Sequence, residues 1–470
     1  MEANPPLSYA ILNGARGNRP LAATLTATPL AHGRVLLTSP DTPTAHSVCG
    51  ENEVTIVGLC LHIDQPATNI SDLAHVLAQQ SESNFLSSLD RLTGRWVVVR
   101  CTRSDLRIYG DATHMLKICY DEDLEVSSNI RMLRELQEQA FEFRQLYLDD
   151  TKAWKGGVIG RLTPAKGIRL LTPNTSLSLI TGKVARYFPR SSREECANIP
   201  ELVRRVSETV DPQLSRLTED FDVLVSMTAG VDSRYTLAAL GEHRCNFHYF
   251  SYSFNNKHHK DATVASAICH QLGLRHTTLA PNIDLVPTKN SSLPVIGPVP
   301  DPAFDKILRK WCWYNHHRQI AMAYHQWMKD RKAEKKPLHL RSNLFEIGRA
   351  YWPGNGADIV NVRGLLEQST PQWLAYEGEF QSFADSVALF SVLDYGYNPL
   401  DIFYWEHRCA TWVSEILQES DFSFQTHSLA NCRATLALYL AAPRQDRISG
   451  SLFKQTISQR TGPVSDVPFA

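Results

Sequence analysis

The chain has little net charge and no long apolar run. Its 48 Lys and Arg residues nearly balance 49 Asp and Glu residues, so the formal net charge is -1. Binding to nucleic acid or to a membrane surface through charge requires a basic face, for which this composition gives no sign. No stretch approaches the roughly 20 apolar residues of a spanning helix. We therefore expect a cytoplasmic protein that acts on small molecules or peptides, without a nucleic-acid or membrane partner.

Metal-binding and redox motifs are also missing. The ten cysteines are scattered and form no Cys-x-x-Cys pair, so we expect reduced, mostly buried thiols. The histidine pairs at 258–259 and 316–317 are adjacent in sequence. Neighbouring side chains point in different directions on a helix or a strand, which argues against a metal site at either pair.

Residues 221–241 predict a strand, a polar turn and a helix. Residues 221–225 are mostly apolar, as in a buried strand, and Gly241 suits the C′ position of the helix. Ala229 and Gly230 allow a ligand to approach the backbone, and the first N–H groups of the helix attract anions. The turn therefore predicts an anion site.

Polar side chains in the same turn extend this site. Ser226, Thr228 and Ser233 carry hydroxyl groups, and Asp232 adds a carboxylate. A carboxylate repels an anion unless a cation lies between them, which favours a magnesium-bridged pyrophosphate. The alternative is an ordinary strand-to-helix turn in which Asp232 is only a helix cap.

Two domains are predicted from the change in pattern near residue 190. Segments 54–63, 95–101 and 106–109 are typical of strands, the last two forming a hairpin, and helices are expected over 70–78, with Ser71 as N-cap, and 130–136. Locally paired strands with a few helices favour an α+β layered domain over 1–190. Residues 191–200 are polar and suit a linker.

The second domain, over 200–470, has a different pattern. Strands at 221–225, 246–252 and 276–279 alternate with helical segments, of which 261–272 has a clear apolar face. This alternation favours an α/β domain with a parallel, doubly wound sheet, whose carboxyl edge carries the turn. Residues 300–470 are predicted to be largely helical.

The segment 228–233, Thr-Ala-Gly-Val-Asp-Ser, resembles the Ser-Gly-Gly-x-Asp-Ser loop of the PP-loop ATP pyrophosphatases, with Thr228 and Ala229 replacing Ser and Gly. The order of the two domains is similar to class B asparagine synthetase and its relatives, the β-lactam synthetases and lasso-peptide cyclases. In the first domain, segments 92–99, 106–111 and 125–128 resemble the core of the family's amidotransferase domain. The resemblance implies that Thr228, Gly230 and Ser233 hold the phosphates of ATP and that Asp232 binds Mg²⁺.

The same resemblance implies three further site residues. Glu346 matches a second acidic residue of the family, which makes it a candidate magnesium ligand and catalytic group; the alternative is a salt bridge to Arg341 or Arg349. Lys454, or Arg447, matches a basic residue that stabilises charge during acyl transfer; the alternative is a solvated surface group.

One departure from the family concerns glutamine. Family members that hydrolyse glutamine use an N-terminal cysteine, whereas residue 2 here is Glu2 and the first cysteine is Cys49. We therefore expect a degenerate amidotransferase-like domain without glutaminase activity.

The predicted function is an ATP-dependent, AMP-forming ligase that joins a small-molecule or peptide carboxylate to an amine, with a homodimer as a possible assembly. Two alternatives stay open. One is a PP-loop enzyme that modifies RNA, which the balanced charge disfavours. The other is a catalytically inactive scaffold, which the retention of Gly230, Asp232 and Ser233 disfavours.

Overall fold

The computed structural model describes residues 4–14, 21–280, 295–296, 301–314, 317–331, 333–356 and 358–462. The prediction about Glu2 therefore lies outside the described residues. Within them, no helix has both the length and the apolar character needed to cross a membrane.

The strands in chain order are β1 (Tyr9–Asn13), β2 (Thr26–Leu30), β3 (Arg34–Thr38), β4 (Thr44–Cys49), β5 (Asn52–His62), β6 (Leu92–Cys101), β7 (Leu106–Gly110), β8 (Cys119–Tyr120), β9 (Val126–Ser127), β10 (Arg169–Leu170), β11 (Thr175–Ser178), β12 (Val184–Arg186), β13 (Phe221–Ser226), β14 (His248–Tyr252), β15 (Arg275–Leu279), β16 (Val295–Ile296), β17 (Lys336–Leu340) and β18 (Gln425–His427).

The α-helices in chain order are α1 (Ile70–Gln79), α2 (Glu82–Asp90), α3 (Ile130–Gln137), α4 (Gln145–Asp149), α5 (Ile199–Asp220), α6 (Val231–Ala239), α7 (Asn256–Gln271), α8 (Pro302–Trp311), α9 (Arg318–Asp330), α10 (Phe345–Gly348), α11 (Val362–Ser369), α12 (Glu377–Ser386), α13 (Pro399–Phe403), α14 (Ala410–Ser420), α15 (Arg433–Ala441), α16 (Arg444–Ser449) and α17 (Ser451–Thr461).

The chain divides into two compact units. Unit 1 contains Met1–Glu194, Ala350–Glu415 and Asn431–Arg433, and unit 2 contains Glu195–Arg349, Ile416–Ala430 and Ala434–Ala470. The first boundary lies inside the predicted linker. Residues of the long helical region after Arg349 are distributed over both units, a division that the change in sequence pattern near residue 190 does not reveal.

Unit 1 contains two antiparallel sheets. Their strand orders are β10-β8-β9-β1-β3-β2 and β12-β11-β7-β6-β5-β4. One apolar core includes side chains from both sheets, among them Tyr9 and Leu36 from the first and Val97 and Ile108 from the second. Burial of this shared core holds the two sheets together. The antiparallel layered character expected for the N-terminal region is confirmed.

Unit 2 contains a six-stranded parallel sheet with the order β16-β15-β14-β13-β17-β18. Strands β14 and β17 pair with opposite sides of β13, so the strand order reverses at β13. Ligands of open α/β sheets bind at such a reversal, outside the carboxyl ends of the strands. The predicted parallel sheet is confirmed, and its reversal point is at the strand that precedes the predicted loop.

Local predictions agree with most element positions. The hairpin is formed by β6 and β7, and Gly241, with a φ of 52°, follows the C-cap of α6 in the left-handed conformation. The predicted N-cap of α1 is wrong. Asn69, not Ser71, caps this helix, because the Asn69 side chain accepts hydrogen bonds from the N–H groups of Ser71 and Asp72.

Candidate functional site

Two loops of unit 2 leave the sheet at the reversal point. One follows β13 and leads through residues 227–230 into α6, and the other follows β17 and leads into α10. Because β13 and β17 are parallel neighbours, both loops lie at the same edge of the sheet. This topology brings the predicted phosphate loop and the segment that carries Glu346 to one place.

The N-terminus of α6 faces this edge without a side-chain cap. Gly230 is the N-cap, and no side chain accepts a hydrogen bond from the first turn. Among the described residues, no hydrogen bond is recorded for the N–H groups of Val231 and Asp232. The alternative role of Asp232 as the cap is therefore wrong. The two N–H groups remain able to bind an anion.

Hydroxyl groups hold the loop in shape. The N–H of Thr228 donates to Ser233 Oγ at 3.1 Å, and the N–H of Gly230 donates to Thr228 Oγ1 at 3.2 Å. Ser233 is 2% exposed, and its hydroxyl lies 2.9 Å from the carbonyl oxygen of Thr228, to which it donates. Ser233 thus stabilises the loop in this conformation, and Thr228 is the more accessible hydroxyl. Ser226 ends β13, and Ala229 is fully buried.

Arg349 binds Asp232 through two parallel hydrogen bonds. Arg349 Nε donates to Asp232 Oδ1 and Arg349 Nη2 donates to Oδ2, each at 2.7 Å. The side chains are 29% and 20% exposed, respectively. Burial raises the pKa of the Asp232 carboxyl, and the guanidinium of Arg349 opposes that rise. Asp232 is therefore bound to a guanidinium at the edge of the loop.

Glu346 is a second carboxylate, and the nearby charge of Asp232 affects its pKa. Burial, together with the charge of Asp232, raises the pKa of Glu346 to about 7. Its Oε2 atom is buried and has no hydrogen-bond partner among the described residues. Buried polar atoms are almost always bonded in native structures, so an orphaned carboxylate oxygen points to a missing ligand.

An aromatic cluster positions the segments that carry these charges. Tyr235 packs against Phe345 and Phe453, with ring centroids 4.9 and 4.6 Å apart, and its hydroxyl lies 3.0 Å from that of Tyr439. Tyr235 is three residues after Asp232, and Phe345 and Phe453 directly precede Glu346 and Lys454. One cluster therefore fixes α6, α10 and α17 together.

The short helix α10 is held in a strained setting. Leu344 and Ala350, on either side of it, have φ values of 80° and 48°, in the left-handed region that costs non-glycine residues about 1 kcal/mol or more. A Cβ on Gly348 would lie 2.8 Å from Tyr439 Cβ, so only glycine permits this packing. Strain of this kind is common where a side chain must be presented to a ligand.

Of the two predicted basic residues, Lys454 is the more accessible. Lys454 is exposed on α17, whereas Arg447 is 5% exposed in α16. A Cβ placed on Gly450 would lie 4.0 Å from both Arg349 Cδ and Lys454 Cε, so these two side chains pass the same glycine. Lys454 is thus near the Asp232–Arg349 pair, and no ion pair of its side chain is recorded in the described part of the chain.

A magnesium ion fits this set of groups on one condition. No cluster of three or more His, Cys, Asp or Glu side chains in the described part of the chain could hold a metal alone. Mg²⁺ needs only one or two carboxylates when phosphate oxygens and water complete its shell. Asp232 and the orphaned Oε2 of Glu346 meet this need, provided that Arg349 releases Asp232.

Aromatic side chains lie at the carboxyl end of the neighbouring strand β14 and just beyond it. Tyr252 and Phe254 stack with centroids 5.5 Å apart and an interplanar angle of 17°. The ring of His258 packs edge-on against Phe254 at 4.1 Å. All three side chains are partly exposed, so they offer a planar ligand an aromatic surface at this edge.

Arg349 is the site residue whose role the sequence did not reveal. Its spacing from Glu346 suggested a pair within one helix, but its partner is Asp232. The aromatic cluster was also missed, because its members are distant in sequence. The available signal was the aromatic residue directly before Glu346 and before Lys454, together with the tyrosine three residues after Asp232.

Comparisons with known proteins leave the family assignment as a prediction. No protein-family model matches the chain, and no curated protein matches it. A solved structure of glutamine phosphoribosylpyrophosphate amidotransferase from B. subtilis, complexed with ADP and GMP, aligns with 72% of this chain and 75% of its own, at 9% identity and a TM-score of 0.24. A TM-score this low carries no argument about fold or activity.

Proposed function

We propose that unit 2 binds ATP at the loop after β13 and that the protein is an AMP-forming ligase that joins a carboxylate to an amine. The observation that carries this proposal is the convergence of an uncapped helix N-terminus, two interacting carboxylates and an exposed lysine at the reversal point of a parallel sheet. Anion donors and paired carboxylates together suit a metal-bridged polyphosphate.

The loop would hold the pyrophosphate that leaves. The N–H groups of Val231 and Asp232, with the hydroxyl of Thr228, supply neutral donors for the β- and γ-phosphates. Gly230 has a φ of -74°, which any residue adopts. The advantage of glycine at this position is therefore the space that it leaves beside the loop. Ser233 keeps these donors in place through its bonds within the loop.

The charged residues would offset the negative charge of the triphosphate. Asp232 and Glu346 would hold Mg²⁺, which when bound neutralises negative charge on the phosphate oxygens. Lys454, near the same edge, would stabilise charge that develops on the transferred group. The stacked pair of Tyr252 and Phe254 offers a face for the base of the nucleotide.

The proposed reaction has two steps. An oxygen of the substrate carboxylate attacks the α-phosphorus of ATP, the bond to the β-phosphate breaks, and pyrophosphate leaves. The amine nitrogen then attacks the carbonyl carbon of the acyl-adenylate, AMP leaves, and the nitrogen loses a proton. The amine belongs to the same molecule as the carboxylate or to a second one.

Isotope exchange tests the first step. The purified protein is incubated with ATP, Mg²⁺, labelled pyrophosphate and a mixture of proteinogenic amino acids and short dicarboxylic acids. We expect label to enter ATP, and AMP to be the nucleotide product once hydroxylamine is added as a capturing amine. ADP as the product, with no AMP and no exchange, would contradict the proposal.

A further inference from the structure

The ion pair between Arg349 and Asp232 occupies the carboxylate that the metal would need. Both oxygens of Asp232 accept hydrogen bonds from the guanidinium. A divalent cation that approached Asp232 would meet the positive charge of Arg349 at close range. The two cations therefore exclude each other from this carboxylate.

We propose that Arg349 competes with the divalent cation for Asp232 and so makes metal binding depend on the nucleotide. This inference rests on the proposed nucleotide site. In the free protein, Arg349 neutralises Asp232 and leaves Glu346 alone to attract a metal. When a triphosphate enters, its negative oxygens offer the guanidinium a second anionic partner, and Asp232 becomes available to the cation.

The geometry permits this exchange. The side chains of the pair are 29% and 20% exposed, so water can replace each lost hydrogen bond. Arg349 Cδ lies by Gly450, beside the exposed Lys454, so a released guanidinium would remain next to another cation that the proposal places near the phosphates. Glu346 keeps one oxygen without a partner, which provides a second ligand once Asp232 is free.

A second ion pair of unit 2 provides a matched control. Arg331 Nε and Nη2 donate to the two oxygens of Asp222 at 2.6 and 2.8 Å, and these side chains are 17% and 23% exposed. Asp222 is near the start of β13, at the edge of the sheet opposite to the loop. Its pair therefore has the same chemistry and similar exposure, but no role in the proposed site.

The test measures Mn²⁺ binding by electron paramagnetic resonance, with and without α,β-methylene-ATP. In the wild type we expect weak Mn²⁺ binding that the nucleotide analogue strengthens about tenfold or more, in the usual range of coupling between two ligands. Arg349→Met keeps the apolar stem and removes the charge. Without the nucleotide analogue, this variant should bind Mn²⁺ about tenfold more tightly than the wild type. The analogue should therefore increase its Mn²⁺ affinity by a smaller factor.

Three further variants test whether a change in Mn²⁺ affinity arises from the pair of Arg349 and Asp232. Arg331→Met should leave Mn²⁺ affinity unchanged, and Arg349→Met should gain nothing when combined with Asp232→Asn. Arg349→Lys keeps the positive charge but cannot form both parallel hydrogen bonds to Asp232. Its Mn²⁺ affinity should lie between those of the wild type and of Arg349→Met. Circular dichroism checks the fold of each variant.

Unchanged or weaker Mn²⁺ binding by both folded Arg349 variants would overturn the inference. The outcome also separates this inference from the proposed function. If Arg349→Met gains Mn²⁺ affinity but no protein binds the nucleotide analogue, the competition holds and the nucleotide site fails. If the wild type binds the analogue but the Arg349 variants leave Mn²⁺ affinity unchanged, the nucleotide site holds and the competition fails.

Discussion

Two arginine–aspartate pairs at opposite edges of the same sheet differ in their surroundings. Asp222 binds Arg331 at the amino end of β13, where Arg331 also donates to His248 Nδ1 at 3.0 Å. Asp232 binds Arg349 beside the carboxyl end, next to a helix N-terminus and a second carboxylate. The first pair joins neighbouring elements of the sheet. The second pair lies at the proposed anion site, where the charge of Asp232 also repels that of Glu346.

This difference shows how location changes the role of one interaction. A bidentate pair at a partly exposed position contributes modestly to stability wherever it occurs. Only the pair at the carboxyl edge lies where ligands of parallel sheets bind. We therefore expect changes to the Asp232 pair to affect function, and changes to the Asp222 pair to affect folding.

The largest expected effect is on the chemical step. Glu346→Gln removes a charge from the proposed magnesium site but preserves the shape of the side chain. We expect the exchange of pyrophosphate into ATP to fall by about 10²- to 10³-fold, as for lost electrostatic stabilisation of a transition state. Circular dichroism should show an unchanged fold, and an exchange rate within twofold of the wild type would contradict the role of Glu346.

The next largest effect is the loss of folding stability at acidic pH through His248, which lies beside the Asp222 pair. Burial, Arg331 and Arg275 lower the pKa of His248 to about 4, against a smaller opposing effect of Asp222. The unfolded chain takes up a proton at His248 below about pH 6.5, whereas the folded chain does so only near pH 4. As pH falls through this window, the wild type should lose up to about 1.4 kcal/mol of unfolding free energy per pH unit through His248.

Urea unfolding of the wild type and of His248→Gln, at several values between pH 7 and pH 4, measures this contribution. The stability of the variant relative to the wild type should rise as the pH falls. A difference that is independent of pH would show that His248 does not stay neutral in the folded protein.

A smaller expected effect is a difference in unfolding free energy between variants that break one pair or the other. Asp222→Ala leaves Arg331 without its carboxylate, and we expect a loss of about 1 to 2 kcal/mol in the free energy of unfolding. Asp232→Ala also breaks an ion pair, but it relieves the repulsion on Glu346, so the net change should be within about 0.5 kcal/mol or favourable. Urea unfolding at pH 7 compares them, and an equal loss in both variants would remove the distinction.

The sequence predicted the sheet and the loop because both depend on local pattern. Apolar segments and the small residues around Gly230 place the strand, the turn and α6, and the pattern of alternating strands and helices implies a parallel sheet. The partner of Arg349 could not be predicted, because the pair joins residues 117 positions apart. The assignment of the segments Ala350–Glu415 and Asn431–Arg433 to unit 1 was likewise hidden, because they follow the predicted second domain's strands in sequence.

The most direct test of nucleotide binding at the loop after β13 is the affinity for α,β-methylene-ATP in the presence of Mg²⁺, measured by calorimetry. Wild type, Asp232→Asn and Asp222→Asn are compared, since Asn preserves size at both positions. We expect the wild type and Asp222→Asn to bind the analogue equally well, and Asp232→Asn to bind it at least tenfold more weakly, which corresponds to about 1.4 kcal/mol. Equal affinities for all three proteins, or no binding by the wild type, would contradict this expectation.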